Sequence, residues 1–279
     1  MSMIFQKEIA KRDQKEIAKR DQIDLDILKQ LIRLKFTNAK QVLLDKFINF
    51  YIWAGCSMLV AGYLMQSFGT SDAFGPFQLG GIIASVGIFE LYGNAVTFVS
   101  DLEGDQTIAY YLTLPTHTST VLCSHIFYYS TIGTLMSFAS LPLAKLILWN
   151  RFDFFAVSWV KLLFFVILTN VFCATATLLA SALIPSMDKF DILWTRVMFP
   201  LWFLGGYSFA WNSVYTTSPK LAYALLLNPI IYMSEGMRAA LLGQEGSINF
   251  WICSAILLVM LVGIAVWSYK ALKKRLDFV

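Results

Sequence analysis

The chain has 279 residues, of which 57% are hydrophobic and 14% charged, with a net charge of +4 and a mean hydropathy of +0.62. A soluble domain is about 45–50% apolar and about 25% charged. The composition therefore excludes an ordinary soluble enzyme or nucleic-acid-binding module and predicts an all-α integral membrane protein.

Residues 1–24 form a charged extension. They include a tandem duplication, QKEIAKRD at 6–13 and again at 14–21. Two copies are too few for a repeat architecture, which needs three or more to bury a core. No short apolar run followed by a small-residue cleavage site stands here, so no cleavable signal peptide is expected. The remainder, 25–279, reads as one transmembrane domain.

From Leu25 to Phe47, apolar residues recur three or four apart and alternate with Lys29, Arg33, Lys35, Lys40 and Lys46. This pattern predicts an N-terminal amphipathic helix lying in the membrane interface. Six spans follow, at Phe47–Phe68, Pro76–Ser100, Ser119–Leu148, Phe154–Ile184, Ile192–Trp211 and Asn249–Tyr269, each near the length that crosses a bilayer. Lys145 and Lys161 fall near span ends, where long basic side chains snorkel. Trp149, Trp159, Trp211 and Trp251 fall there too, as interface belts require. Phe127, Tyr128, Tyr129, Phe164, Phe165 and Phe172 lie within spans, either lining a path or packing.

Charge sets the orientation. Residues 1–46 hold eleven Lys and Arg, and Lys270, Lys273, Lys274 and Arg275 follow the last span, fifteen of the chain's twenty-two. Both termini are therefore expected on the cytoplasmic side of the cell membrane. On that count the stretch SDLEGDQTIAYYLTLP, from Ser100 to Pro115, also lies inside. It carries Asp101, Glu103 and Asp105 and no basic residue. Acidic residues barely affect topology, so chance is one explanation. Docking on a cytoplasmic protein is the other.

Glu90 is a carboxylate about 15 Å inside the second span at helical rise. Such a group lines a pathway, pairs with Lys161 or Arg196, carries a proton, or packs hydrogen-bonded beside Asn94 one turn away. Leu227–Gly243 is too apolar for a free loop, yet contains Asn228-Pro229, Glu235 and Arg238. Irregular backbone at membrane depth needs shelter. The stretch predicts a re-entrant helical hairpin at the outer mouth, with a helix on the outer surface as the alternative. Cys56, Cys123, Cys173 and Cys253 have no CxxC spacing and read as small hydrophobes. His117, Cys123 and His125 do not share one face and lack an adjacent acid, so no metal site is expected.

Three stretches resemble the membrane subunits of ABC-2 type exporters, which move drugs, lipids and polysaccharides. They are DLEGDQTIAYYLTLP, PLWFLGGYSFAW (200–211) and LNPIIYMSEGMRAALLG (227–243), and the likeness covers residue 25 to the end. The resemblance implies that Asp101, Glu103, Gly104, Asp105, Thr107, Leu114 and Pro115 belong to a coupling helix seated on an ATPase. It implies that Asn228, Pro229, Tyr232, Glu235, Gly236 and Arg238 form the outer motif, while Glu90 and Asn94 are read as pathway or intramembrane polar residues from their place in the second span. The sequence has no GxxxxGK[ST] phosphate loop. ATP and magnesium are therefore expected in a separate ABC ATPase, two copies of it, working with two copies of this chain in membrane lipid. Neither a cofactor on this chain nor a nucleic-acid partner is expected. An ATP-independent channel or structural subunit is the competing class, and a lipid-modifying enzyme a third.

Overall fold

The computed structural model describes residues 2–276, with the side chains of 2–21, 40 and 41 outside the description. The octapeptide duplication therefore lies in the first helix with its side chains undescribed. The described residues are helical, with no strand.

The first helix, α1 (Ser2–Gly62), is 61 residues long. The amphipathic stretch and the first span were expected as separate elements. They are instead one uninterrupted helix, because no proline and no glycine occurs before Gly55. The long helices α2 (Phe74–Glu103), α4 (Thr118–Leu148) and α5 (Trp159–Leu183) pack together, and α1 lies against α2 and α4. A six-residue helix, α3 (Thr107–Leu112), bridges α2 and α4. The last helix is α11 (Phe250–Leu276). Five helical stretches are long and apolar enough to cross a membrane: Val42–Phe68, Phe74–Glu103, Thr118–Arg151, Trp159–Leu183 and Phe250–Leu276.

The expected span Ile192–Trp211 is not a single helix. It is built from α6 (Phe190–Leu193), a π turn (Trp194–Met198) and α7 (Phe199–Phe203). Pro200 cannot donate to the carbonyl four residues earlier, and its ring crowds that carbonyl. Widening the preceding turn relieves both problems. Gly205 and Gly206 then end the run, with Gly206 in the left-handed region at φ 74°.

This broken segment climbs α2. Tyr92 meets Phe190 and Trp194, and Gly81 meets Tyr207 eleven residues nearer the α2 start, a rise of about 16 Å. Three short helices follow: α8 (Trp211–Thr217), α9 (Pro219–Leu225) and α10 (Pro229–Leu241). The whole of α10 after Pro229 is buried among α2, α5 and α11, which rules out a helix lying on an outer surface. α11 runs parallel to α5. Phe250 meets Phe165 at 5.4 Å near the start of both, and Arg275 donates to the Ser181 and Ile184 carbonyls near the end of both. The chain between them thus returns to the Trp159 end of the bundle.

The core is continuous along α2 and α5, with Leu79, Ile83, Phe165 and Met237 each at most 1% exposed. The outward faces of α5 and α11 stay apolar, with Val160 84% and Val259 72% exposed. Helices bathed in hydrocarbon present such faces.

Candidate functional site

The acidic stretch has a defined architecture. Asp101, in the last turn of α2, reaches forward and accepts from the backbone N–H groups of Thr107 (3.2 Å) and Ile108 (2.8 Å). It satisfies two of the free donors at the start of α3, as a capping carboxylate does. The turn between the helices needs Gln106 in the left-handed region at φ 53°, and its N–H closes on the Asp101 carbonyl at 2.7 Å. Glu103 accepts from the Met187 N–H at 3.1 Å, tying the α2–α3 turn to the segment after α5. On the far side, Thr116 donates to Asp24 of α1 at 2.6 Å. Ile108 is buried against Phe98, Leu102, Leu122 and Leu272, so α3 is anchored from behind. Its solvent side presents Glu103, Gly104, Asp105, Tyr110 and Pro115, all exposed, while Thr107 and Leu114 are half-buried. Of the three acids expected to face a partner, Asp101 is turned inward, because the α3 amides outbid solvent for it.

Glu90 sits among polar groups of α1 and α2. Lys46 donates to its Oε2 at 2.7 Å and to Asn94 Oδ1 at 3.2 Å, and Asn94 Nδ2 donates to the same Oε2 at 3.3 Å. The expected partners Lys161 and Arg196 are not there. Lys161 lies 5.6 Å over the Phe250 ring, and Arg196 is exposed on the π turn. A half-buried carboxylate needs a cation within reach, and α1 supplies it from the first turns of its apolar stretch, which run alongside α2.

Nearby, Lys35 Nζ is 2.9 Å from His125 Nε2 and 3.1 Å from Nδ1, with Tyr129 3.4 Å from the latter. Burial lowers the Lys35 amine from 10.5 to about 8, with Asp101 pulling the other way.

The outer motif is a polar knot inside an apolar shell. Glu235 and Arg238 pair at 3.1 Å, 0% and 1% exposed. Arg238 also donates to the carbonyls of Phe77 (3.3 Å), Gly206 (2.5 Å), Tyr207 (3.1 Å) and Phe209 (3.1 Å), and lies 3.7 Å over the Phe77 ring. Glu235 accepts from the N–H groups of Trp211 and Ile248, each at 3.1 Å. Asn228 caps α10 at the Ile230 N–H (3.0 Å) and donates to the Leu201 carbonyl (2.6 Å). Tyr232 donates to the Leu226 carbonyl at 2.9 Å. Gly236 lies against the face of Phe165, where a Cβ would overlap the ring. The Gly205, Gly206, Tyr207 and Phe209 carbonyls at the break all accept from Ser234 or Arg238 of α10, the kind of shelter that irregular backbone needs inside a membrane protein.

A model of the ABC-2 type transporter family matches residues 27–242. That is most of the chain. It belongs to the ABC-2 type transporter family. No curated protein matches it. The match makes the chain a multi-pass membrane permease of an ABC transporter. The permeases of this family generally work with an ABC ATPase and generally lack an ATPase site of their own.

The matched region contains one feature that the sequence reading missed. Rings of α1, α2 and the 190–207 stretch, half-buried apart from the buried Phe190, form a column. From Phe190 it passes to Tyr92 (6.0 Å), Trp194 (5.1 Å), Phe89 (5.7 Å), Trp202 (5.5 Å) and Tyr207 (4.8 Å), with Trp53 4.8 Å from Phe89. Trp202 also donates to Ser85 Oγ at 2.8 Å. The aromatic residues singled out in sequence lie elsewhere, with Phe165 and Phe172 buried and Phe127 and Phe164 exposed on outward faces. No single stretch marks the column as a whole, since its rings are spread over three segments. A repeated three- or four-residue spacing at Phe89 and Tyr92, and at Trp194, Met198 and Trp202, was the available signal.

Proposed function

We propose that this permease is the membrane subunit of an ATP-driven exporter. Two copies flank one pathway, and a separate ATPase, holding ATP and magnesium, docks on α3. The observation that carries this reading is the mounting of α3. It is capped by α2 through Asp101, packed from behind on α2, α4 and α11, and exposed on one side. A push on that side moves whole spans rather than a loop, as coupling of ATP binding to helix motion requires. An ATP-independent channel has no need of such a mount.

The same reading takes 187–203 as a sixth, short crossing, with α8 to α10 as a re-entrant hairpin and both termini on the cytoplasmic side of the cell (inner or plasma) membrane. The parallel course of α5 and α11 supports an even count, and the basic termini support the side. The aromatic column supports a pathway face for an amphipathic or polymeric cargo, since ring faces take apolar and sugar C–H surfaces alike.

Affinity purification of the tagged permease, with ATP hydrolysis assayed in the eluate, tests the proposal. Gly104→Pro and Asp105→Arg are compared with wild type. Loss of a co-purifying ATPase, or hydrolysis uncoupled from the permease, is the expected result for both variants. An ATPase that never co-purifies, or variants that behave as wild type, would overturn the docking role of α3.

A further inference from the structure

Two cavities meet at Lys46. The lower one is a space of about 310 Å³ bordered by α1, the end of α2, α3 and the start of α4, and lined by Lys35, Asp101, His125, Tyr128 and Tyr129. The upper cavity is a cleft of about 340 Å³ between α1 and α2, lined by Asn49, Phe50, Trp53, Val86 and Phe89. Lys46 lines both, and its ion pair with Glu90 stands at their boundary. The lower space is the richer in polar groups, and the upper one is mainly aromatic and aliphatic beyond Lys46, Asn49 and Glu90.

The charges of the lower space are unevenly satisfied. Asp101 spends both carboxylate oxygens on the α3 amides. Lys46 is paired with Glu90. Lys35 stands in no ion pair among the described residues, and its close partner is the ring of His125. A largely desolvated ammonium beside a neutral acceptor is a group that an incoming anion would satisfy. Lys35 lies seven residues before Val42, where the apolar stretch begins, about 10 Å along the helix and so at headgroup depth.

We propose that these joined cavities hold one anionic amphiphile. Its phosphate or carboxylate head sits on Lys35 beside the Tyr128 and Tyr129 hydroxyls, and its hydrocarbon tail passes Lys46 into the α1–α2 cleft. A basic, hydroxyl-rich chamber opening into an apolar slot fits a molecule with both parts and fits a free anion or a hydrocarbon less well. The side of the membrane and the fate of the ligand rest on the exporter reading. The binding chemistry does not.

The test uses the full chain in phosphatidylcholine nanodiscs doped with phosphatidylglycerol that carries a diazirine on one acyl chain. The anionic probe should photolabel peptides containing Asn49 to Trp53 and Val86 to Glu90. Lys35→Gln should cut that labelling about tenfold, the worth of one charge-assisted hydrogen bond. Lys35→Arg should retain it, and Lys29→Gln, 76% exposed on the same helix, should leave it unchanged. Equal labelling of the cleft by a diazirine phosphatidylcholine would overturn the proposal, as would undiminished labelling of a Lys35→Gln protein that keeps the wild-type melting temperature. Adding ATP to the complex with its ATPase then separates two sources: label that falls with turnover marks exported cargo, and label that persists marks a resident lipid, either one being the anionic occupant proposed. Because the labelling needs no ATPase, its failure and the failure of the exporter reading are distinguishable.

Discussion

Removing the Arg238 guanidinium leaves the Glu235 carboxylate buried without a cation and frees three backbone carbonyls at the Gly205-Gly206 break and that of Phe77 in α2. Breaking a buried pair from one side costs about 3–5 kcal/mol. Arg238→Met is therefore expected to lower the unfolding free energy in detergent by that amount, measured by a fluorescence melt. Lys35 carries a pH dependence of the opposite origin, a cation buried at a cost. Its amine is at about 8 when folded and 10.5 when not. Between those values the unfolded chain holds more protons, so stability rises as pH climbs from about 8 to about 10.5, and below 8 the full cost of the buried charge is present. The groups facing it are Asp101 and Lys46, the phenols of Tyr111, Tyr128 and Tyr129, and His125. Asp101 raises the amine, so Asp101→Asn should move it below 8, read by NMR of labelled lysine. Asp101→Ala instead loses the α3 cap, costing about 1 kcal/mol, and should speed hydrogen exchange at the Thr107 and Ile108 amides. Sequence named Glu90, Glu235 and Arg238 as charged groups in apolar segments and Asp101 as one acid of an exposed acidic stretch. It could not see which neighbours claim them. The partner of Glu90 is 44 residues away, and the donors to Asp101 became available only once α3 had formed.

The helices differ in how far their own sequence decides them. α2, α4 and α5 run within a few residues of the expected spans, since a run of apolar residues without a break has one low-energy form in lipid. The stretch 187–211 departs because Pro200 and Gly205-Gly206 break the ladder, and the break survives only through contacts to α10. Two glycines separate these contributions. At Gly236 a Cβ would overlap the Phe165 ring, so Gly236→Ala should cost about 1–3 kcal/mol by overpacking. At Gly93, in α2, no atom lies within 4 Å, so Gly93→Ala should be neutral or gain up to about 1 kcal/mol from helix propensity. Paired thermal melts of the two variants measure the difference.

For the whole molecule, the crossing count is checked by accessibility. In a background without Cys56, Cys123, Cys173 and Cys253, Ser71→Cys and Glu245→Cys should react with an impermeant maleimide from outside intact cells. Asp105→Cys and Asp188→Cys should react only after permeabilisation. Labelling of Glu245→Cys from the same side as Asp188→Cys would remove the sixth crossing. The sequence by itself determined the membrane class, the helical fold, the basic ends and the family, because each is written in composition or in residues close along the chain. Only the tertiary structure decided that α1 is one helix that supplies Lys35, before its apolar stretch, to α4 and Lys46, within it, to α2, that aromatic rings from three segments form one column, and that α10 is enclosed as the partner of a broken helix. These depend on contacts between residues tens to more than a hundred positions apart. Local periodicity carries no record of such contacts, since their energy comes from burial and pairing that exist only in the packed bundle.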